Sequence, residues 1–223
     1  MADENVSRTA PVVVVLSGAG GFACGKKNGP GIRSCIHKAP FPCWYAYCHI
    51  PGNAKLRLPD CVPFFLQKLG EICRQTRNKI ILCGFSRGAA WVNDLVKEHA
   101  TLWHVAVGIA GYPRTQDGDI NFHEAREVMR VRRPVLYVFY AEDDWCSAAQ
   151  YPQWFAEFSV AMARPPGPEY GDCSESFACF ILPGTHNTGQ RLWESMGFQA
   201  TNHPQLVAYW TQLWGALQQE MHN

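Results

Sequence analysis

Six runs of near-continuous apolar residues, each of strand length, restrict this chain more than any other feature of its sequence. They fall at Val12–Leu16, Trp44–Cys48, Ile80–Cys83, Val105–Ile109, Val135–Tyr140 and Phe177–Leu182. A run such as Val12-Val13-Val14-Val15-Leu16 has no polar position on either side, so a strand made from it needs cover on both faces. That cover is written between and after the runs, as apolar stripes with a period near 3.6. Val62, Phe65, Leu66, Leu69, Ile72 and Cys73 form one stripe, and Ala89, Val92, Leu95, Val96 and His99 a second. Trp154, Phe155, Phe158 and Met162 form a third. Leu206, Trp210, Leu213, Trp214 and Leu217 form the last, with Pro204 suited to the first turn of that helix. Strands alternating with helices predict a three-layer α/β/α sandwich around a mostly parallel sheet of about six strands.

The 223 residues suit a single domain, 1–223, with a polar tail over 1–10. A net charge of +1 gives no general pull towards nucleic acid or membrane. The opening MADENVSRTA has no apolar core and reads as neither a secretory signal nor an anchor. No apolar run approaches the roughly 18–20 residues that cross a bilayer. Ten cysteines beside that opening read as reduced thiols packing as small hydrophobes, which predicts a cytoplasmic protein. Cys24, Cys35, His37 and Cys43 are near neighbours in sequence, but no C-x-x-C pair accompanies them and no metal is expected.

The sharpest local signal is Gly84-Phe85-Ser86-Arg87-Gly88, which matches G-x-S-x-G. The pattern describes a strand turning sharply into a helix, with small residues on either side of a serine so that neighbouring backbone can pass closely. Context supports it, because Ile80–Cys83 leads into the motif and the Ala89 stripe leads out. A serine hydroxyl is a weak nucleophile until a base takes its proton, and that base must itself be oriented. In such folds the partners follow the serine in the order acid, then histidine, each at the end of a later strand. Val135–Tyr140 ends in Ala141-Glu142-Asp143-Asp144-Trp145, and Phe177–Leu182 ends in Pro183-Gly184-Thr185-His186-Asn187. Taken singly, an acid cluster after a strand is often a helix cap and a loop histidine is often only solvated. The order and placement of the pair make Ser86 the expected nucleophile, His186 the base and Asp144 the orienting acid. The remaining histidines sit on a helix or at a helix entry, at a strand start, in the C-terminal tail or ahead of the serine.

On these pieces, together with Leu16-Ser17-Gly18-Ala19-Gly20-Gly21 and Ala110-Gly111-Tyr112-Pro113, the chain resembles the α/β-hydrolase superfamily. Within it, the chain is similar to small carboxylesterases, acyl-protein thioesterases and dienelactone-hydrolase-like enzymes. The resemblance runs from Val12 to the final helix and implies a minimal fold without a large cap domain. The family often writes its acid segment H-G-x-x-D; superposed on Tyr140–Asp144, this selects Asp144, with Asp143 taking its place if the turn differs by one residue. The resemblance also implies an oxyanion hole from the backbone N–H groups of Arg87 and Ala19. Ser17-Gly18 replaces the usual His-Gly pair there, which leaves Ala19 the less secure of the two. It implies a small-molecule acyl substrate, an acyl-enzyme intermediate and no cofactor.

Substrate clues are thinner. Between Glu4 and Asp60 there is no acidic residue, while Lys26 and Lys27 lie on the loop after the first strand and Arg87 on the motif itself. These charges suit an anionic group on the substrate, although a solvated basic face explains them as well. Phe22, Tyr112 and Trp145 follow strands and are candidates to line an apolar pocket; core packing accounts for them equally. Two other readings compete. Gly18–Ala23 satisfies G-x-G-x-x-A, and Gly20–Lys26 satisfies G-x-x-x-x-G-K. However, Cys24–Gly31 cannot open a good helix, no acid follows at the ribose-binding distance, and Lys27 stands where a P-loop needs Ser or Thr. A non-catalytic hydrolase-fold binding protein is the other alternative; such proteins usually lose a triad member.

Overall fold

In the computed structural model, strand bounds follow from burial on two faces at once. The structure describes residues 6–16, 18, 42–48, 58, 60–111, 133–140, 177–182, 184–185 and 204–222. The strands are β1 (Val12–Leu16), β2 (Trp44–Cys48), β3 (Ile80–Phe85), β4 (Val105–Ile109), β5 (Val135–Tyr140) and β6 (Phe177–Leu182). The described helices are α1 (Cys61–Thr76), α2 (Arg87–Glu98) and α3 (Pro204–His222). All six strands pair in parallel, in the order β2-β1-β3-β4-β5-β6. The third stripe, Trp154 to Met162, lies outside the described residues.

Alternate residues of β1 to β5 feed two separate cores. Val12, Val14, Leu16, Ile80, Leu82, Ala106 and Val135 face α1 and α2, meeting Val62, Leu66, Trp91, Val92, Leu95 and Val96. Val13, Val15, Ile81, Cys83, Phe85, Val107, Ile109, Leu136 and Val138 face the opposite way, against Leu206, Trp210 and Trp214 of α3. The sheet is therefore the middle layer of three, as its unbroken apolar runs require. Each fully buried Val or Leu contributes about 1.5–3 kcal/mol, so the central strands anchor the molecule. Cys43 packs in the α3-side core, where burial pushes its thiol up to about 11 and keeps it uncharged at neutral pH.

The helix stripes are correct in outline and wrong at single positions. Ile72, read as part of the α1 stripe, is 61% exposed, because the buried face of α1 narrows to Val62, Leu66 and Cys73. His99, read as part of the α2 stripe, is that helix's C-cap, its N–H donating to the Leu95 carbonyl. β3 runs two residues beyond its apolar run, through Gly84 and Phe85, which pair with Gly108 and Ile109.

Trp103 fastens the end of α2 to the start of β4. Its ring is fully buried, its Nε1 donates to the Leu95 carbonyl at 3.1 Å, and the Arg133 guanidinium lies 5.9 Å from the ring centroid. Trp91, also fully buried, does the equivalent work against the sheet. Trp91→Ala is expected to lower the unfolding free energy by about 3–5 kcal/mol. Urea unfolding measures it, and a loss below about 1 kcal/mol would show that the indole does not fill the core.

Candidate active site

Ser86 is the one residue between β3 and α2, and it alone must reverse the direction of the chain. It does so with φ 56° and ψ −115°, a left-handed backbone that side chains other than glycine rarely adopt. Such a conformation costs of order 1–3 kcal/mol and persists only where the surroundings over-determine it. The surroundings are visible. The Ser86 N–H donates to the Ile109 carbonyl at 2.9 Å, carrying the β3–β4 ladder one step past the strand. The Ser86 carbonyl accepts from the Ala90 N–H at 3.2 Å, closing the first turn of α2.

Glycine at two flanking positions makes this packing possible. A Cβ on Gly84 would stand 2.3 Å from the Gly88 carbonyl oxygen, and a Cβ on Gly111 would stand 2.3 Å from that of Ser86. The first contact lays α2 directly on β3; the second brings the chain leaving β4 against the turn. Ala110, just before Gly111, also has a positive φ, 54°. The sequence signalled Gly84 through its motif. Gly111 was visible only as part of Ala110-Gly111-Tyr112-Pro113, and its role comes from the long-range pairing of Phe85 with Ile109.

The hydroxyl of Ser86 is not spent on structure. A serine at a helix N-cap ordinarily accepts a hydrogen bond from the first turn, worth about 1 kcal/mol, yet Ser86 makes no side-chain cap bond. The residue is half-buried at the carboxyl edge of the sheet. Arg87 opens α2, so its N–H belongs to the first turn, where backbone donors lack an intrahelical acceptor and the helix dipole is positive. Gly18, two residues past β1, approaches from the other side: a Cβ there would lie 3.1 Å from the Phe85 ring and 3.5 Å from the Ser86 Cβ. The chain leaving β1 thus runs against the serine.

β5 and β6 end together at the same edge, with Tyr140 paired to Leu182. Gly184, with φ 125°, turns the chain beyond β6, and exposed Thr185 follows. Ser86 and Arg87 are brought to one turn. Ala19, Phe22, Tyr112, Asp143, Asp144, Trp145 and His186 lie outside the described residues, as do Lys26, Lys27, Cys24, Cys35 and His37. His104 and His99 stand at or towards the opposite end of β3 and α2; the His104 Nδ1 accepts the Ile80 N–H at 3.0 Å. Among the described residues no group of His, Cys, Asp or Glu is arranged to hold a metal ion. No helix among them is long and apolar enough to cross a membrane.

Gly84→Ala has to displace the first turn of α2 and is expected to cost more than about 2 kcal/mol. Gly215→Ala, placed in α3 with open space around its added methyl, is expected to gain up to about 1 kcal/mol. Urea midpoints of the two variants, measured side by side, check both signs.

No family model and no curated protein sequence matches the chain. Solved structures do. A thermostable esterase superposes with a TM-score of 0.58 at 14% identity, over 96% of this chain and 56% of its own, so the chain spans little more than half that enzyme's length. A ferulic acid esterase superposes with a TM-score of 0.57 at 12% identity, covering 95% of this chain and 88% of its own. An esterase of Pyrococcus furiosus gives 0.55 at 13% identity, with 86% and 82% covered. At such identities the likeness is one of architecture, and the parallel sheet and its helical layers agree with it. The chain has the α/β-hydrolase fold.

Proposed function

We propose that this protein is a serine hydrolase cleaving a carboxylic ester or thioester of a small substrate. The observation that carries the reading is Ser86 itself, a non-glycine residue held at φ 56° at the mouth of a helix with its hydroxyl released from capping. The solved structures that the fold resembles include several esterases, which supports ester chemistry at a coarse level.

In this reading His186 removes the proton from the Ser86 hydroxyl as its oxygen attacks the acyl carbonyl. Asp144 holds the imidazole in the required tautomer and stabilises the imidazolium that forms. The backbone N–H groups of Arg87 and Ala19 meet the charge developing on the carbonyl oxygen. Loss of one such donor typically costs about 3–4 kcal/mol of transition-state stabilisation. The imidazolium then returns its proton to the leaving group, and water repeats the sequence to release the acid from Ser86.

Chain lengths are compatible with this assembly. β3 and β6 are three strand spacings apart, about 14 Å, and β3 and β5 two, about 10 Å. Asp144 follows Tyr140, and His186 follows Leu182, by four residues each, a stretch that reaches roughly 13–14 Å when extended. The side chains add the remaining reach.

A fluorophosphonate probe is expected to label wild type at Ser86 and to leave Ser86→Ala unlabelled. Turnover of a p-nitrophenyl ester is expected to fall by about 10⁴-fold or more in Ser86→Ala and in His186→Ala. Asp144→Asn and Asp143→Asn tell the two acids apart, with the larger loss expected at Asp144. A Ser86→Ala protein that keeps its full turnover would end the proposal.

Arg87, Lys26 and Lys27 support a narrower reading in which the substrate carries a negative charge. Carboxylated esters are then expected to be hydrolysed with higher kcat/KM than neutral ones, and Lys26→Ala to reduce that preference. Equal efficiency on both, unchanged in Lys26→Ala, would remove the charge from the reading.

A further inference from the structure

At the amino edge of the sheet, the end away from Ser86, a groove of about 660 Å³ opens between the last turn of α1 and the turn that leads into β4. Its volume falls in the range of small-molecule sites, roughly 300–1,000 Å³. Arg74, Arg77, Lys79 and His104 line it, and among the described lining residues there is no carboxylate. Ile80 and Leu102 give it an apolar wall.

Cations at a helix C-terminus often do no more than balance the macrodipole. Here two observations reach further. The Cys73 carbonyl already accepts the backbone N–H groups of Arg77 and of Asn78, the latter at 3.0 Å, and the Ile72 carbonyl accepts the Thr76 hydroxyl at 3.2 Å. The Cys73 carbonyl, in the last turn of α1, is therefore taken twice by the helix's own capping turn. Lys79, moreover, lies beyond the helix at the start of β3, where no helix dipole explains it.

The groove is also held in shape. Arg77 takes φ 59° to leave the helix, and buried Asn78 is pinned by hydrogen bonds from its Nδ2 to the carbonyls of Arg8, at 2.7 Å, and Ala10. This fixes the backbone between Arg77 and Lys79. On the far wall, His104 is tied to β3 twice, through its N–H to the Ile80 carbonyl at 2.8 Å and through Nδ1 to the Ile80 N–H. With Nδ1 accepting, the neutral ring carries its proton on Nε2. The ion pair described on α1, Lys68 with Glu71, involves neither arginine.

We propose that this groove is a second ligand site, for a phosphorylated small molecule, separate from the edge that carries Ser86. The two guanidiniums are matched by a ligand of charge −2, which a phosphomonoester or diphosphate supplies and a single carboxylate does not. Two guanidiniums offer the paired donors that phosphate oxygens accept in a bidentate manner. The Ile80 and Leu102 wall gives the organic body of the ligand a surface to cover.

Calorimetric titration of the full chain with inorganic pyrophosphate and with phenyl phosphate tests the proposal. Both are expected to bind at one site and to weaken as salt rises, while phenol does not bind. Ser86→Ala and the pair Lys26→Ala/Lys27→Ala are expected to bind both probes as wild type does. Arg74→Gln/Arg77→Gln is expected to weaken binding at least about tenfold, and Lys79→Gln severalfold. Both arginines are exposed, and an unchanged urea midpoint establishes that the variants fold. Absence of binding, binding unchanged in both the arginine and lysine variants, or binding lost with Lys26 and Lys27 would each overturn it.

Discussion

Helix α2 crosses β3 at a separation that a single methyl group would abolish. The place where a Gly84 Cβ would go lies within 2.7 Å of the Gly88 carbonyl group and the Ala89 nitrogen, so the first turn of the helix rests on the strand's backbone. Much follows from this contact. With α2 pressed so close, one residue is left to turn the chain from strand to helix, and that residue must take a backbone that few side chains accept. The strain is held because α2 cannot back away. Ala89, Trp91, Val92, Leu95 and Val96 are all buried, and lifting the helix would expose them together. A few kcal/mol of local strain is small beside the burial of five such side chains, each apart from alanine contributing about 1.5 kcal/mol or more. The position of the Ser86 hydroxyl is thus a consequence of core packing as much as of the turn.

What could be read from the sequence divides along the range of the interactions involved. The bounds of β1, β2, β4, β5 and β6 match their apolar runs, because a strand covered on both faces shows itself in every residue. β3 extends further than its run, since Gly84 is a poor strand former and its pairing with Leu16 on one side and Gly108 on the other keeps it extended. The serine turn was legible because its constraint is local: small residues two before and two after. The supports from Gly111 and Gly18 were not. Each is small because of a chain segment distant in sequence, and no spacing rule announces such a contact. Ile72 misleads for a related reason, as periodicity marks a face without saying how wide the neighbouring layer is. β5 and β6 leave the sheet at the edge that carries Ser86, which is why order along the chain bears on the candidate acid and base that follow them.

The amino-edge groove had no signature at all. Arg74, Arg77, Lys79 and His104 come from a helix end and the starts of two strands, and nothing in their spacing resembles a motif. They meet because β3 and β4 are neighbours in register and α1 ends immediately before β3. A parallel sheet sorts its connections in this way. Every strand enters at one edge and leaves at the other, so residues ahead of strands gather on one side and residues after them on the opposite side. The basic residues and the serine are near in sequence and yet sorted apart.

β3 is the element common to both edges: Ile80 lines the groove at one end and Phe85 leads into Ser86 at the other, about 20 Å away along the strand. It is tempting to connect the two ends, but the physics of the strand argues against a switch. β3 is buried along its whole length and paired on both sides, to β1 and β4. An interior packed on both faces has no room for a second arrangement of the strand, and a ligand shifts an equilibrium only by its different affinity for two states. Occupancy of the groove would therefore add binding energy to the single state seen here, stabilising the fold by mass action while leaving the geometry at Ser86 as it is. The same close packing that forces the serine into its strained backbone also insulates it from the far edge of the sheet.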